Sequence, residues 1–376
     1  MTRHNNNVVI LCGPPQDPGS GGYGGGQGGY VRNVTALLEY FSAGNVRLTL
    51  SPYSVRRYHP CWRLLLPFRI IADILVFLKN IRRGQAVHLM MTYRLAIYRE
   101  FAIGVLARAS GRPLILDIRG GSFLNWLPVA SALPRALARW LLRHAEVILG
   151  QGMAVVLPLR QLYGEKVHYF PNFIGARHIP AQPALKCSQP HLNVLFVGYC
   201  YAGKGVFELV EGCIMAAQAG AKVHLSLVGS ESPDFAQYLN SVEPQPGFVL
   251  KRFGTLPHEG VLQHFASNDV FCFPSRHEGE GHPNVITEAM AYGLIIVTTR
   301  QGFVAELLDE QTAYFIEKGQ PGVISGALLY IDTHRDEACA KAQGAHRVLR
   351  ERFVDNIVLE ELRGHYRRAM LRRDGR

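Results

Sequence analysis

The sequence predicts an α/β protein made of two doubly wound, Rossmann-like domains. Its 376 residues are enough for two ordinary domains, each with its own core. Apolar strand-like runs alternate with helical segments, as in parallel sheets covered by helices on both faces. The same alternation restarts after a proline-containing stretch, which indicates a second domain.

We expect an N-terminal domain over residues 1–172, a linker over 173–190 and a second domain over 191–355. A C-terminal basic helix over 356–376 is expected to pack back toward the first domain.

The period of the apolar residues predicts the individual elements. Short runs rich in Val, Ile and Leu predict buried strands at residues 8–12, 46–50, 86–90, 113–117, 146–149, 167–170, 193–197, 222–228, 249–252, 270–273 and 295–298. Longer segments with apolar residues three or four positions apart predict helices at residues 30–41, 62–81, 99–109, 133–143, 206–219, 260–266, 285–292 and 356–373.

The excess positive charge is confined to the first half of the chain. Residues 1–178 contain 21 Lys and Arg against 7 Asp and Glu, whereas the remainder contains 19 against 22. A basic face of this kind attracts polyanions or an anionic membrane surface. We expect no nucleic-acid partner, because the sequence shows no nucleic-acid-binding motif, zinc module or run of interleaved aromatic and basic residues.

One apolar segment, Leu64–Leu78, is too short to span a bilayer. Basic residues bracket it on both sides: Arg56, Arg57, Arg63, Arg69, Lys79, Arg82 and Arg83. The segment predicts either an interfacial helix on an anionic membrane or an ordinary core helix with solvated ends.

The cellular compartment is predicted from the N-terminus and the cysteines. The N-terminus has no signal-peptide pattern, and the seven cysteines form no CxxC pair. We therefore expect reduced thiols and a cytoplasmic protein, peripheral on the inner face of the cell membrane if the apolar segment is interfacial.

A glycine-rich run separates the first predicted strand from the first helix. Gly19–Gly29 holds eight glycines among eleven residues and contains a match to the dinucleotide-binding pattern GxGxxG. A nicotinamide or flavin site is not indicated, because the pattern begins well beyond the strand end and no acidic residue follows the second strand. The free N–H groups of Gly28 and Gly29 at the helix start are suited to bind a phosphate, and the alternative is a surface loop.

A pair of acidic residues follows the predicted strand at residues 270–273. Glu280 lies in a glycine-rich loop, and Glu288 lies one turn into the next predicted helix. Backbone N–H groups around His282 to Val285 would point from that helix start toward an anion. Two carboxylates at this spacing are suited to bind two sets of sugar hydroxyls, although solvated acidic residues are the ordinary alternative.

The segment from Glu280 to Gly293 resembles the E-x7-E signature of the retaining GT-B glycosyltransferases of family 4, with Gly281, His282, Pro283, Asn284 and Val285 after the first glutamate. The resemblance implies a GT-B fold, in which two Rossmann-like domains face a central cleft and the N-terminal domain is on the acceptor side. It also implies that Glu280 contacts the donor sugar and Glu288 holds the ribose hydroxyls.

A lysine flanked by glycines follows the predicted strand at residues 193–197. Gly203, Lys204 and Gly205 match the lysine loop of the same family, and Lys204 is suited to neutralise a diphosphate leaving group. The arginine expected earlier in that loop is Tyr199 here. The candidate phosphate or acceptor contacts are therefore Tyr199 itself, Arg252, and Arg119, which stands where family members often have a histidine.

The function implied by the resemblance is retaining transfer of a sugar from a nucleotide-sugar donor to a hydroxyl of a glycan or lipid-linked glycan. Such transfer serves lipopolysaccharide, capsule or exopolysaccharide biosynthesis, with Lys204 and Glu280 in catalysis. We expect no cofactor and metal-independent chemistry, because no DxD or HExxH pattern accompanies these motifs. The alternatives are a glycosyl phosphorylase or a nucleotide-sugar epimerase of similar form, or a basic nucleic-acid-binding protein, which the net charge suggests but no binding motif supports.

Overall fold

The computed structural model describes residues 7–13, 28–42, 45–52, 62–181, 183 and 190–374. The chain divides into two compact units. Most of the glycine run, together with Arg56 and Arg57, lies outside the described residues.

The first unit contains a six-stranded parallel sheet with the order β2-β1-β3-β4-β5-β6. Its strands are β1 (Asn7–Gly13), β2 (Val46–Pro52), β3 (Ala86–Met91), β4 (Leu114–Ile118), β5 (Val147–Gly150) and β6 (Val167–Tyr169). Its helices are α1 (Gly28–Tyr40), α2 (Trp62–Ile81), α3 (Ile97–Ala109), α4 (Phe123–Val129), α5 (Ala132–His144) and α6 (Met153–Tyr163). The strand order reverses between β1 and β3, and such a reversal opens a crevice at the carboxyl ends of the strands.

The second unit contains another six-stranded parallel sheet, with the order β12-β11-β10-β7-β8-β9. Its strands are β7 (Leu192–Val197), β8 (Val223–Val228), β9 (Phe248–Arg252), β10 (Val270–Phe273), β11 (Ile295–Thr298) and β12 (Tyr314–Phe315). Its helices are α7 (Val206–Gln218), α8 (Pro233–Ser241), α9 (His258–Ser267), α10 (Asn284–Ala291), α11 (Val304–Leu307), α12 (Pro321–Thr333) and α13 (Arg335–Arg352). Here the strand order reverses between β7 and β10.

The two parallel sheets confirm the predicted fold class. The sequence prediction missed six of the described helices, namely α4, α6, α8, α11, α12 and α13. In α13 the buried positions include Ala338, Ala342, Ala345 and Leu349, which have helical spacing but form only a weak hydrophobic signal.

The last helix, α14 (Asp355–Asp374), belongs to the first unit. Its Tyr366 is completely buried, and the hydroxyl lies 2.6 Å from Nδ1 of His88 on β3. The Tyr366 ring also lies 5.5 Å from the ring of Phe41. The basic C-terminal segment is therefore anchored to the first sheet by an apolar and hydrogen-bonded face. Ile174, in the predicted linker, belongs to the second unit, and its N–H donates to the Phe353 carbonyl at 3.0 Å.

Helix α2 has two apolar faces of different exposure. Asp73, Phe77 and Ile81 are buried against the first unit, whereas Phe68 and Leu75 are 70% and 61% exposed. None of the described helices combines the length and apolar character that a membrane crossing requires. The helix is therefore neither fully buried nor membrane-spanning.

The described cysteines differ in their state. Cys12, Cys200, Cys213 and Cys272 are buried free thiols, and burial raises the pKa of Cys12 and Cys200 to about 12. Cys339 is disulfide-bonded, so the expectation of reduced thiols is wrong at this position. Disulfide pairing depends on tertiary proximity, which the spacing of cysteines along a chain does not reveal.

We predict that the first unit loses stability as the pH falls from 6.5 toward 4. Burial, the neighbouring His168 and Arg368 lower the pKa of His365 on α14 to about 4. The unfolded state, with an ordinary histidine pKa, therefore takes up a proton in this range that the folded state resists. After allowance for solvent screening, we expect a loss of about 1 kcal/mol at pH 5 relative to pH 7. Urea unfolding at the two pH values would show this loss in wild type and a smaller one in His365→Gln. The exposed His334→Gln is the control, and equal pH dependence in all three proteins would contradict the assignment.

Candidate functional site

The second sheet positions two predicted site residues where its strand order reverses. Lys204 follows β7, and Glu280 follows β10, the two strands on either side of the reversal. Ligands of doubly wound sheets bind at this edge, because the loops after the two strands run in opposite directions and leave a crevice. The structure therefore brings Lys204 and Glu280 together across 76 positions of sequence.

The Lys204 ammonium donates a hydrogen bond to Oε1 of Glu280, and the two form an ion pair. Their side chains are 17% and 10% exposed, so each charge is largely removed from water. The ammonium also lies 5.2 Å from the centre of the Phe273 ring. Removing one partner would leave the other charge partly buried without compensation.

The backbone of the lysine loop is fixed by contacts with the loop after β10. A 3-10 turn covers Ala202–Lys204, and Gly205 then adopts a φ of +70° at the start of α7. A methyl group on Gly205 would collide with the carbonyl oxygen of Pro274. The N–H of Arg276 donates to the Gly203 carbonyl at 3.0 Å. At Gly203 and Gly205, the backbone of the loop after β7 thus contacts the backbone of the loop after β10.

The Glu280 loop is held by hydroxyl and backbone contacts. The Ser275 hydroxyl donates to Oε1 of Glu280 at 3.3 Å. Gly302 has a φ of +65°, and a side chain there would collide with the carbonyl of Glu280. The Phe303 N–H donates to the Gly281 carbonyl at 3.2 Å. The carboxylate is therefore held in place before any ligand arrives.

Helix α10 starts four residues after Glu280 with its first turn uncapped by a side chain. Pro283 is the N-cap residue and makes no side-chain cap hydrogen bond. The Oδ1 atom of Asn284 is buried and accepts no hydrogen bond among the described residues. Uncapped N–H groups and the helix dipole favour an anion at such a position.

The remaining predicted residues of this segment lie inside the second unit. His282 is buried, with its ring 5.4 Å from that of Phe353, and Val285 is buried in α10. Glu288 is 5% exposed on the second turn of the helix, and its charge together with burial raises the pKa of Tyr292. A buried carboxylate is unusual unless hydrogen bonds or a ligand compensate for it.

Arg119 does not reach the surface of the first unit. Its side chain is completely buried, with Nε donating to Asp117 at 2.7 Å and Nη1 to Asn172 at 2.7 Å. The guanidinium lies 4.7 Å from the ring centre of Phe170. Asp117 has its pKa lowered by Arg119 and His88 against the raising effect of burial. The structure thus places Arg119 in a buried polar network with Asp117 and Asn172.

The other predicted contacts, Gly28, Gly29, Tyr199 and Arg252, have different local surroundings. Gly28 and Gly29 are the first residues of α1. The Tyr199 side chain is partly exposed and stacks on Tyr201 at 5.3 Å. Arg252 donates through Nε to Glu231 at 3.0 Å and through Nη1 to Asn240 at 2.9 Å.

Two residues that support the site were not predicted as site residues. Ser275 binds Glu280, and its own carbonyl accepts a hydrogen bond at 2.5 Å from the hydroxyl of Thr299. Arg276 pairs with Glu208 on α7 at 2.6 Å and so joins the two loops. The Phe-Pro-Ser sequence at the end of β10 could have identified Ser275 as a site residue, because it matches the family. The pairing of Arg276 with Glu208 depends on the fold and has no such signal in the sequence.

Among the described residues, no group of three or more His, Cys, Asp or Glu side chains could hold a metal ion.

Residues 191–331 match the family model of the glycosyl transferases group 1. The capsular polysaccharide biosynthesis glycosyltransferase CapM of Staphylococcus aureus is 26% identical over 188 residues, which cover 48% of this chain and 47% of CapM. The chain spans about half the length of the curated relatives it matches.

Solved structures resemble nearly the whole chain. HepE of Anabaena, solved in complex with UDP-glucose, has a TM-score of 0.68 and 15% identity over 95% of this chain and 98% of its own. Sucrose-phosphate synthase from Thermosynechococcus elongatus has a TM-score of 0.71 and 17% identity over 96% and 98% of the two chains. At these identities the likeness shows the fold alone, and it confirms the expected GT-B pair of Rossmann-like units.

We predict that Gly205→Ala destabilises the protein much more than Gly254→Ala. Both glycines have a positive φ, +70° and +62°, but only at Gly205 would the new methyl group meet a backbone atom. The expected extra cost is about 2 kcal/mol, since the carbonyl of Pro274 cannot move without shifting the loop that carries Glu280. Chemical unfolding of both variants measures the difference. Equal losses would show that the two loops are not in the close contact described above.

Proposed function

We propose that this protein, whose residues 191–331 form a group 1 glycosyltransferase domain, transfers a sugar from a nucleotide-sugar donor to a hydroxyl of a glycan or lipid-linked glycan. The observation that carries the proposal is the ion pair between Lys204 and Glu280 at the reversal of the second sheet. An uncapped helix start and the buried Glu288 follow within eight residues of Glu280.

The relatives support a nucleotide-sugar donor and a role in a cell-surface polymer. HepE has been solved with UDP-glucose, and CapM is named for capsular polysaccharide biosynthesis. We propose by extension that this chain acts in the biosynthesis of lipopolysaccharide, capsule or exopolysaccharide. The sugar and base of the donor are to be identified by experiment.

In the proposed reaction, the bond between the anomeric carbon of the sugar and the diphosphate oxygen breaks. The Lys204 ammonium and the amides at the start of α10 neutralise the departing diphosphate, which is the largest charge to develop. Glu280 accepts hydrogen bonds from sugar hydroxyls, and Glu288 accepts those of the ribose. In the ligand-free protein, Glu280 supplies the counter-charge that keeps the Lys204 ammonium in the site.

We further propose that the transfer retains the anomeric configuration and needs no metal. The acceptor hydroxyl then bonds to the anomeric carbon on the face that the diphosphate leaves, and its proton passes to the departing phosphate oxygen. Charge neutralisation by Lys204 and backbone amides would do the work that a divalent cation does in other transferases. A glycosyl phosphorylase would instead release a sugar phosphate, so product analysis separates the two activities.

We predict that a nucleoside diphosphate raises the melting temperature of the wild type and has little effect on Glu288→Gln. The variant is nearly isosteric but loses the charge that binds the ribose hydroxyls, so affinity should fall at least about tenfold. A panel of UDP, GDP, ADP, CDP and dTDP in a thermal-shift assay both identifies the base and tests the residue. Glu243→Gln, an exposed glutamate of the same unit, is the control. If none of the five diphosphates stabilises the wild type, the donor site is wrong.

The exposed face of α2 supports a peripheral membrane contact. Phe68, Ile71, Leu75 and Leu78 form an apolar stripe three to four residues apart. The exposed Lys79, Arg82 and Arg83 follow it at the end of the helix. An apolar stripe next to a basic cluster is the pattern of a helix that lies in the surface of an anionic bilayer. We propose that α2 brings the first unit to the membrane that carries a lipid-linked acceptor.

We predict that the protein sediments with phosphatidylglycerol vesicles and not with phosphatidylcholine vesicles at low salt. Leu75→Glu should lower the partition coefficient about tenfold, because it removes apolar contact and adds repulsion. Leu162→Glu changes an equally exposed leucine of α6 and should bind like the wild type. Equal binding of Leu75→Glu and wild type would exclude α2 as the membrane contact.

A further inference from the structure

The turn after β3 has an unusual backbone. Tyr93 and Arg94 are consecutive non-glycine residues with φ values of +47° and +53°. Such a backbone conformation is strained and persists only where surrounding contacts enforce it. The turn lies where the strand order of the first sheet reverses, between β1 and β3, which is the ligand-binding edge of a doubly wound unit.

A buried carboxylate fixes the turn from below. Glu100 on α3 is completely buried, and its Oε1 accepts hydrogen bonds from the N–H of Thr92 at 2.7 Å and from its hydroxyl at 3.1 Å. Burial raises the pKa of Glu100, although the Arg99 charge and the Thr92 hydrogen bonds oppose it. Burying a carboxylate costs free energy unless hydrogen bonds compensate for it. The hydrogen bonds that Glu100 accepts hold Thr92 at the start of the turn.

Aromatic rings connect this turn with the loop after β4. The Tyr93 ring lies 5.3 Å from that of Trp126 and 5.5 Å from that of Phe123 on α4. Phe123 is buried beneath them, whereas Tyr93 and Trp126 are both partly exposed. Ser122 is hydrogen-bonded to Tyr93, which fixes the ring. The C–H face of a pyranose ring packs well on a rigid aromatic surface of this kind.

A positive charge lies beside the aromatic surface. The Arg94 side chain is exposed, and its charge acts to lower the pKa of Tyr93 against the raising effect of burial. An exposed guanidinium presents a planar fork that binds carboxylate or phosphate through two hydrogen bonds. The left-handed backbone of Arg94 aims this side chain differently from an ordinary strand or helix residue.

We propose that Tyr93, Arg94 and Trp126 form a subsite for the acceptor, and that this acceptor is an anionic saccharide. Its sugar ring stacks on Tyr93 and Trp126, and its phosphate or carboxylate pairs with Arg94. The assignment rests on the proposed function only in calling the saccharide the acceptor. The two sources of the anionic group, a sugar phosphate and a uronic acid, share the same chemistry.

The test is a titration of tryptophan fluorescence with the nucleoside diphosphate present at saturation, so that the donor site is occupied. The probes are glucose 1-phosphate, glucuronic acid and methyl α-glucoside, added to the full-length protein. We expect the better of the two anionic probes to bind at least tenfold more tightly than methyl glucoside. Tighter binding of glucose 1-phosphate would indicate a sugar phosphate in the acceptor, and tighter binding of glucuronic acid would indicate a uronic acid.

Arg94→Gln should raise the Kd of that probe at least tenfold, and Trp126→Phe should remove most of the fluorescence change. Arg139→Gln, an exposed arginine on α5 with the same change in charge, should behave like the wild type. Stabilisation by the nucleoside diphosphate should be the same in all four proteins. If it is the same and Arg94→Gln binds the probes like the wild type, or no probe changes the fluorescence, the subsite is wrong. If the diphosphate stabilises none of the proteins, the proposed function fails instead.

Discussion

The ion pair between Lys204 and Glu280 is the interaction on which the second unit's site depends. Both charges are largely removed from water, so each is destabilising unless the other charge, or a ligand that replaces it, compensates for its burial. The pair forms because the loops after β7 and β10 meet at the reversal of strand order. Gly205 makes that meeting possible, since a side chain there would collide with the carbonyl of Pro274. Gly302, in the loop after β11, likewise lies against the carbonyl of Glu280. In the proposed function, a donor diphosphate would replace Glu280 as the ion-pair partner of Lys204, and Glu280 could then bind the sugar.

The two sheets place their chemistry at the same topological position. In the second unit the reversal carries a cation and acidic groups, which suit a diphosphate and sugar hydroxyls. In the first unit the reversal carries the strained turn at Tyr93 and Arg94, an aromatic surface and one exposed cation. The difference in chemistry between the two edges matches a division between donor and acceptor. The buried network around Arg119 and Asn172 stiffens the first unit behind its edge without itself being accessible.

The sequence was sufficient for the fold class and for the order of strand β10, loop and helix α10, because both depend on local pattern. Apolar runs identify the parallel strands, and Glu280 and Glu288 are eight positions apart in one segment. The burial of Arg119 could not be predicted from the sequence, since it depends on contacts with Asn172, 53 residues away, and with Asp117 on β4. The positive φ values of the turn at Tyr93 could not be predicted for a different reason. Glycine or asparagine usually signals such a backbone, and neither is present there. The tertiary contacts of the turn with Glu100, Phe123 and Trp126 explain it.

The most direct test of the account is calorimetry with the nucleoside diphosphate that stabilises the protein and with the corresponding nucleoside. The comparison is between Glu280→Gln and the double variant Lys204→Met/Glu280→Gln, so that no unpaired carboxylate remains in either protein. If Lys204 holds the diphosphate, the double variant binds the diphosphate at least tenfold more weakly, while the affinity for the nucleoside is unchanged. Equal affinity of the two variants for the diphosphate would contradict the central claim.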